Sequence, residues 1–265
     1  MEINLGGLAL DIDFHPSKEL VTTGLINGDL HLYSYAANAL PQRLLKVRAH
    51  SDQSCRAARF IDGGSAIATC SPDRSILTVD VVTGSPKYRL ENAHCDPISR
   101  LINLDETTIA TGDDEGCIKV WDTRNRKRSC CNTFHAHRHY ISDITFCSEG
   151  SKLKLLATSG DGSLSVYDIR ENKVQAQSEF SGHDLLSVVI MKDGHRVVCG
   201  SQIETLLLYS WGCFKDCSDR FRLYRNSVGA LLKLDEDTII TGSEDGLISL
   251  VGMLPNRIIQ PIAEH

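Results

Sequence analysis

Long apolar runs are missing from this chain. No stretch approaches the roughly 18 to 20 apolar residues of a membrane-spanning helix, so none is expected. Aromatic residues make up only 6% and form no base-stacking motif, and acids outnumber bases 34 to 28 for a net charge of -6. That balance lacks the clustered positive surface of a general nucleic-acid binder, so sequence-specific nucleic-acid recognition is not expected. The opening MEINLGGLALDIDF has neither a basic flank nor a long apolar segment ending in small residues, and it reads as mature sequence rather than a secretory signal. Cysteine is plentiful at ten, but metal-ligand spacing is not: Cys130-Cys131 and Cys213-x3-Cys217 have no second pair. No metal and no cofactor is therefore expected. A reducing compartment without disulfides is expected too, with Cys70, Cys117, Cys147 and Cys199 packing as small hydrophobes.

What the chain does have is a repeat. A segment of aliphatic, small and Thr or Cys residues, then a turn and an alternating strand, starts at Val21, Ile67, Ile109, Leu156, Val197 and Ile239. The spacing is 41 to 47 residues, room for four strands, which is the period of a WD-repeat β-propeller blade. The clearest copy, IATGDDEGCIKVWD, ends on Trp121-Asp122. Taking the third repeat as template, Pro97–Asn103 predicts the innermost strand, Thr108–Thr111 the start of the second, Gly112–Gly116 a turn, Cys117–Trp121 the third strand and Ser129–Phe134 the outer fourth. The unbroken period predicts one all-β domain over 1–265, with repeats at about 8–50, 51–94, 95–137, 138–183, 184–226 and 227–265.

A histidine precedes most repeats: His50, His94, His137, His183 and finally His265. It resembles the histidine that opens WD repeats and begins a buried His, Ser, Asp and Trp network. On that likeness His137, Ser142, Asp161 and Tyr167 form one network, with Tyr for Trp, and His94, Ser99, Glu115 and Trp121 another, with Glu for Asp. Such a set would also suit nucleophilic catalysis, but an active site is needed once and this triple recurs, so the structural role is the stronger reading. The inner strands carry only scattered Asp, which also argues against a hydrolase. The fifth repeat has Ile203-Glu204 where Asp-Gly is expected, and a turn lacking Gly predicts the least regular blade. The basic run Arg124–Arg128 reads as a solvated loop.

The phase of the repeats predicts six complete blades, with Glu2–Leu5 as one outer strand of an incomplete seventh; the alternative is a six-bladed ring closed by that strand. Arg257–Ile262 is expected as the outer strand of blade six. An open ring would leave sheet edges and apolar faces exposed, which predicts poor solubility.

Beyond the repeat itself, RAHSDQSCRAARFIDGG (48–64), LINLDETTIATGDDEGCIKVWDTR (101–124), LLSVVIMKDG (185–194), LLLYSWGCFKDCSDRF (206–221) and LPNRIIQPI (254–262) resemble the WD repeat-containing protein 55 family in its plant form. The resemblance implies a non-catalytic interaction scaffold of nucleus, nucleolus and cytoplasm. One implied role is substrate receptor of cullin-4 RING ubiquitin ligases, docking on their damage-specific DNA-binding protein adaptor and carrying a protein substrate the sequence does not name. The docking motif is a WD repeat ending Trp-Asp-x-Arg, matched by Trp121, Asp122 and Arg124 and, with Tyr for Trp, by Tyr167, Asp168 and Arg170. The other implied role is ribosomal RNA processing and ribosome assembly, with pre-ribosomal particles as partners.

Overall fold

A computed structural model describes residues 3–124, 130–149, 152–223, 226–253 and 255–264. Twenty-four strands form six four-stranded sheets, the six blades of a β-propeller, and within each the strands follow one another in chain order. The first blade holds β1 (Ala9–Phe14), β2 (Leu20–Leu25), β3 (Asp29–Ala36) and β4 (Ala39–Arg48). The second holds β5 (Ala57–Ile61), β6 (Ala66–Cys70), β7 (Ile76–Asp80) and β8 (Pro86–Leu90). The third holds β9 (Ile98–Asp105), β10 (Thr108–Asp113), β11 (Cys117–Asp122) and β12 (Cys130–His135). The fourth holds β13 (Ile141–Glu149), β14 (Lys152–Ser159), β15 (Leu164–Asp168) and β16 (Lys173–Gln177). The fifth holds β17 (Leu185–Met191), β18 (Arg196–Ser201), β19 (Thr205–Ser210) and β20 (Asp219–Arg222), and the sixth holds β21 (Val228–Lys233), β22 (Thr238–Ser243), β23 (Leu247–Gly252) and β24 (Arg257–Glu264).

The middle strands explain the spacing of small and aliphatic residues. β6, read AIATC, is buried at every position, and β10 and β18 are buried at five of six. A strand covered on both faces reads as a continuous apolar run, and its Ala, Thr and Gly let neighbouring sheets approach. The outer strands β16, KVQAQ, and β24 are largely exposed, and β24 carries Pro261 and Gln260, which suit an edge.

The chain divides into two compact units. One holds the first three blades up to Thr133 except Glu115–Cys117; the other holds those three residues and Phe134 onward. In the first unit, Leu30, Leu32, Ala58, Phe60, Ile67 and Leu77 pack the first blade on the second, and Ala68, Ile76, Ile98, Leu101, Ile109 and Trp121 pack the second on the third. In the second unit, Leu156, Val166, Val188, Val197 and Tyr209 pack the fourth on the fifth, and Val198, Leu208, Val228, Ile239 and Val251 the fifth on the sixth. Each fully buried aliphatic side chain contributes about 1.5 to 3 kcal/mol relative to exposure, so the core is spread between blades.

One expectation is corrected. Ile3, Asn4 and Leu5 form no strand, and Met1 and Glu2 lie outside the described residues. A strand exists only through its ladder to a neighbour, and among the described residues no strand pairs with Ile3–Leu5, so no outer strand of a seventh blade stands there. The blade-six outer strand does form and runs two residues past Ile262, to Glu264. The outer strand of blade three forms over Cys130–His135, and the expected Ser129 lies outside the described residues, as do His265 and the 125–128 part of the basic run. Among the described residues no helix is long and apolar enough to cross a membrane.

Candidate partner-docking site

In blade three, β10 and β11 pair so that Ile109 faces Trp121 and Thr111 faces Lys119. The Trp121 indole N–H donates to Thr111 Oγ1 (2.8 Å), Thr111 Oγ1 lies 2.7 Å from His94 Nε2, and His94 Nδ1 lies 2.7 Å from Asp113 Oδ2. Trp121, Thr111, His94 and Asp113 are all buried. With the ring proton on Nδ1, each group donates to the next along the chain Trp121, Thr111, His94, Asp113, and such chains reinforce themselves.

Two assigned members change. The hydroxyl is Thr111 rather than Ser99, whose Oγ donates to the Gly112 carbonyl (3.1 Å). The carboxylate on His94 is Asp113 rather than Glu115. Ser99 lies on the inner strand, away from the β10 position that faces the His ring, and Asp113 at the end of β10 is closer in the chain to Thr111. Blade two repeats the chain with His50, whose Nδ1 lies 2.7 Å from Asp73 Oδ2 and 3.3 Å from Ser75 Oγ, and whose Nε2 lies 3.1 Å from Thr69 Oγ1. By strand register Thr69, which faces Leu77, stands where Thr111 does.

Blade four is incomplete. His137 Nδ1 bonds Asp161 (3.0 and 3.2 Å) and Ser163 Oγ (3.1 Å), as expected for Asp161, but Ser142 is elsewhere: its hydroxyl donates to Leu185 O (2.6 Å) and lies 3.0 Å from Thr158 Oγ1. The register position of Thr111 is Ala157, facing Ser165. Alanine supplies no hydroxyl, and His137 Nε2 and Tyr167 Oη are both buried without a hydrogen-bond partner among the described residues. Burial pushes the Tyr167 hydroxyl well above its usual range.

The turn glycines hold these histidines in register. Gly28 and Gly116 take positive φ (+87° and +82°), which favours glycine. A Cβ on Gly116 would come within 2.7 Å of the His137 backbone, and one on Gly28 would strike the His50 carbonyl.

These networks anchor the loop that follows the third strand. Trp121 is buried and serves as the anchor, whereas Asp122 and Arg124 stand beyond it. Thr123 fixes the turn through N and Oγ1 bonds to Thr107 O (2.8 and 3.0 Å). Asp122 Oδ1 accepts from the Arg124 backbone N–H (2.9 Å) and Nε (3.0 Å), and Oδ2 accepts from Nη2 (2.8 Å). That two-pronged grip from Arg124 holds the Asp122 carboxyl below the usual carboxylate range and presents a guanidinium 70% exposed.

The second Asp-x-Arg copy is wired differently. Register places Lys154 opposite Asp168 where blade three has Thr108 opposite Asp122. Lys154 Nζ therefore donates to Asp168 Oδ2, Glu171 N–H donates to Oδ1 (2.9 Å), and the carboxyl is held down at about 2, chiefly by Lys154. Tyr167 and Asp168 are buried, and Arg170 is exposed with no side-chain partner among the described residues.

Blades two to four thus share a buried imidazole seated on a carboxylate, and the sequence signal for most of them was present. Asp73-Arg74-Ser75 and Asp161-Gly162-Ser163 both place Asp and Ser two apart, and both residues reach the His Nδ1. Thr69, Thr111 and Asp113 escaped notice because their role depends on cross-strand register, which a linear pattern does not display.

Six meandering sheets, three of them carrying these seats, define a WD-repeat β-propeller, a class of typically non-catalytic scaffolds. The crystal structure of Saccharomyces cerevisiae Sqt1 superposes with a TM-score of 0.80 at 15% identity, covering 96% of this chain and 74% of that one, which shows the fold. The WDR55 family model matches residues 1–265, and the chain belongs to that family. WD repeat-containing protein 55 of Arabidopsis thaliana is 62% identical over 266 residues, covering all of this chain and 74% of its own length. The Homo sapiens protein of the same name is 36% identical over 264 residues, with 100% and 68% coverage.

Proposed function

We propose that this propeller is a non-catalytic scaffold that docks on the damage-specific DNA-binding protein adaptor of cullin-4 RING ligases through the loop 121–124. The observation that carries this reading is the Asp122–Arg124 fork: an exposed guanidinium whose angle is set by a carboxylate and whose loop is tied to a buried Trp, Thr and His chain. A planar, pre-oriented guanidinium can share its donors with a partner's carboxylate or carbonyls at small entropic cost. The three histidine rings are buried, and the His94–Asp113 pair is buried on both sides, which suits packing rather than turnover.

A second reading, ribosome assembly, draws on family membership along the whole chain, and both roles are compatible with one scaffold. Affinity purification from native cells separates them. The docking reading expects cullin-4 and its adaptor among the partners, depleted when Arg124 is changed to Ala. Pre-ribosomal particles without ligase subunits would overturn docking in favour of assembly.

A further inference from the structure

Blade five breaks the histidine seat, and the break leaves a cavity. By register Cys199, facing Leu207, stands where Thr111 and Thr69 stand in blades three and two. Ile203 occupies the place of Asp73 and Asp161, and Glu204 the place of the turn glycine, with φ at +26°. Neither the hydroxyl nor the carboxylate that would hold a histidine is present. His183, which opens this repeat, is correspondingly exposed and makes no ring hydrogen bond among the described residues.

The space is a cavity of about 220 Å³ lined on the sheet by Thr205, Leu207, Arg220 and Arg222 and on the connection by Ser181 and His183. The register explains the lining. Thr205 pairs with Arg222 and Leu207 with Arg220, so both arginines stand on the sheet face that carries Thr205. Among the described residues each guanidinium is committed only at Nε: Arg220 to Cys217 Sγ (3.2 Å) and Arg222 to Glu204 Oε2 (3.3 Å). Their Nη groups, the Thr205 hydroxyl and the His183 ring have no protein partner among the described residues. No carboxylate is among the lining residues, and Glu204 at the rim is tied to Arg222.

Two forked cations, a hydroxyl and an imidazole around a small concavity match the donor demand of a tetrahedral oxyanion with three accepting oxygens. We propose that this blade-five pocket binds a phosphoryl group, with Arg220 and Arg222 as its principal ligands and Thr205 and His183 completing the shell. The site is distinct from the loop 121–124, and its failure would leave the docking proposal untouched.

The test is calorimetric titration of the purified chain at low salt with inorganic phosphate, with a phosphoserine-containing peptide and with acetate. The expected result is binding of the first two, weakened about tenfold or more by Arg220→Gln and by Arg222→Gln, with the melting temperature unchanged because both side chains are exposed. Tighter binding of the phosphopeptide than of the free ion would mark a protein-borne phosphate as the source; equal binding would mark the free ion. Absence of phosphate and phosphopeptide binding, acetate binding as tight as either, or full affinity in both variants would overturn the proposal.

Discussion

His94 is bonded at both ring nitrogens and His137 at one, and that difference sets what each contributes. Replacing His94 with Ala removes one hydrogen-bond partner from each of the buried Asp113 and Thr111, at a cost of about 1 to 3 kcal/mol. His137→Ala should cost less, since one of its nitrogens is already unmatched and Asp161 keeps the Ser163 and Arg138 backbone bonds. Thermal melts of the two variants measure this, and an equal or larger loss for His137→Ala would count against the assignment. The converse change is Ala157→Ser, which places a hydroxyl where Thr111 has one; a gain of about 0.5 to 1.5 kcal/mol is expected in the same melts.

Acid stability follows from the same pairs. Burial by itself raises the Asp73 carboxyl, but the His50 ring and the Ser75 backbone outweigh it and hold it at about 2. Asp161 is lowered in the same way by His137 and Ser163, against burial. A carboxyl depressed in the folded state stabilises fully above its unfolded value near about 4, and that contribution is lost as pH falls toward the folded value. Melting temperature should therefore fall between about pH 4 and 2, less steeply in Asp73→Asn; parallel slopes would contradict the pairing.

Strands are the scale at which the sequence was most legible. Alternation and turn residues located Thr108, Cys117 and Arg257 as strand starts because period-2 burial and glycine turns are local properties. Glu204 takes φ +26° where glycine stands in blades three and four, yet the ladders of blade five carry one register shift where β3 with β4 carries two, so the expectation of a least regular fifth blade is not met. The choice of Asp113 over Glu115 was not legible, because it depends on whether the end of β10 or the turn after it meets the ring. The unlike wiring of the two Asp-x-Arg copies was hidden for a similar reason: Thr108 and Lys154 lie 14 residues before Asp122 and Asp168, and only the strand pairing brings them opposite. The wiring makes a prediction. Asp122→Ala frees the Arg124 fork and should weaken adaptor recovery in pull-down, whereas Asp168→Ala leaves Arg170 already ungripped and should change recovery little. Equal losses would show that the carboxylates act otherwise than by orienting arginine.

At the scale of the whole chain, several large apolar side chains lie open to solvent. Leu8, Ile12 and Phe14, at and just before the first strand, are 60%, 58% and 58% exposed, and Ile258, Ile259 and Ile262 are exposed on β24. Exposed apolar side chains along one strand, as on β1, promote association. Light scattering against concentration should show self-association that Leu8→Ser combined with Ile12→Thr reduces; a monodisperse wild-type chain across the range would contradict it.

The account as a whole rests on a scaffold offering Arg124 to a partner. A direct binding titration between the purified chain and the purified cullin-4 adaptor tests it, comparing wild type with Arg124→Ala and Arg170→Ala. A central interface arginine costs about 2 kcal/mol or more when truncated, roughly thirtyfold. The expected result is saturable binding by wild type, weakened at least that much by Arg124→Ala; no binding by wild type, or an Arg124→Ala affinity equal to it, would contradict the account.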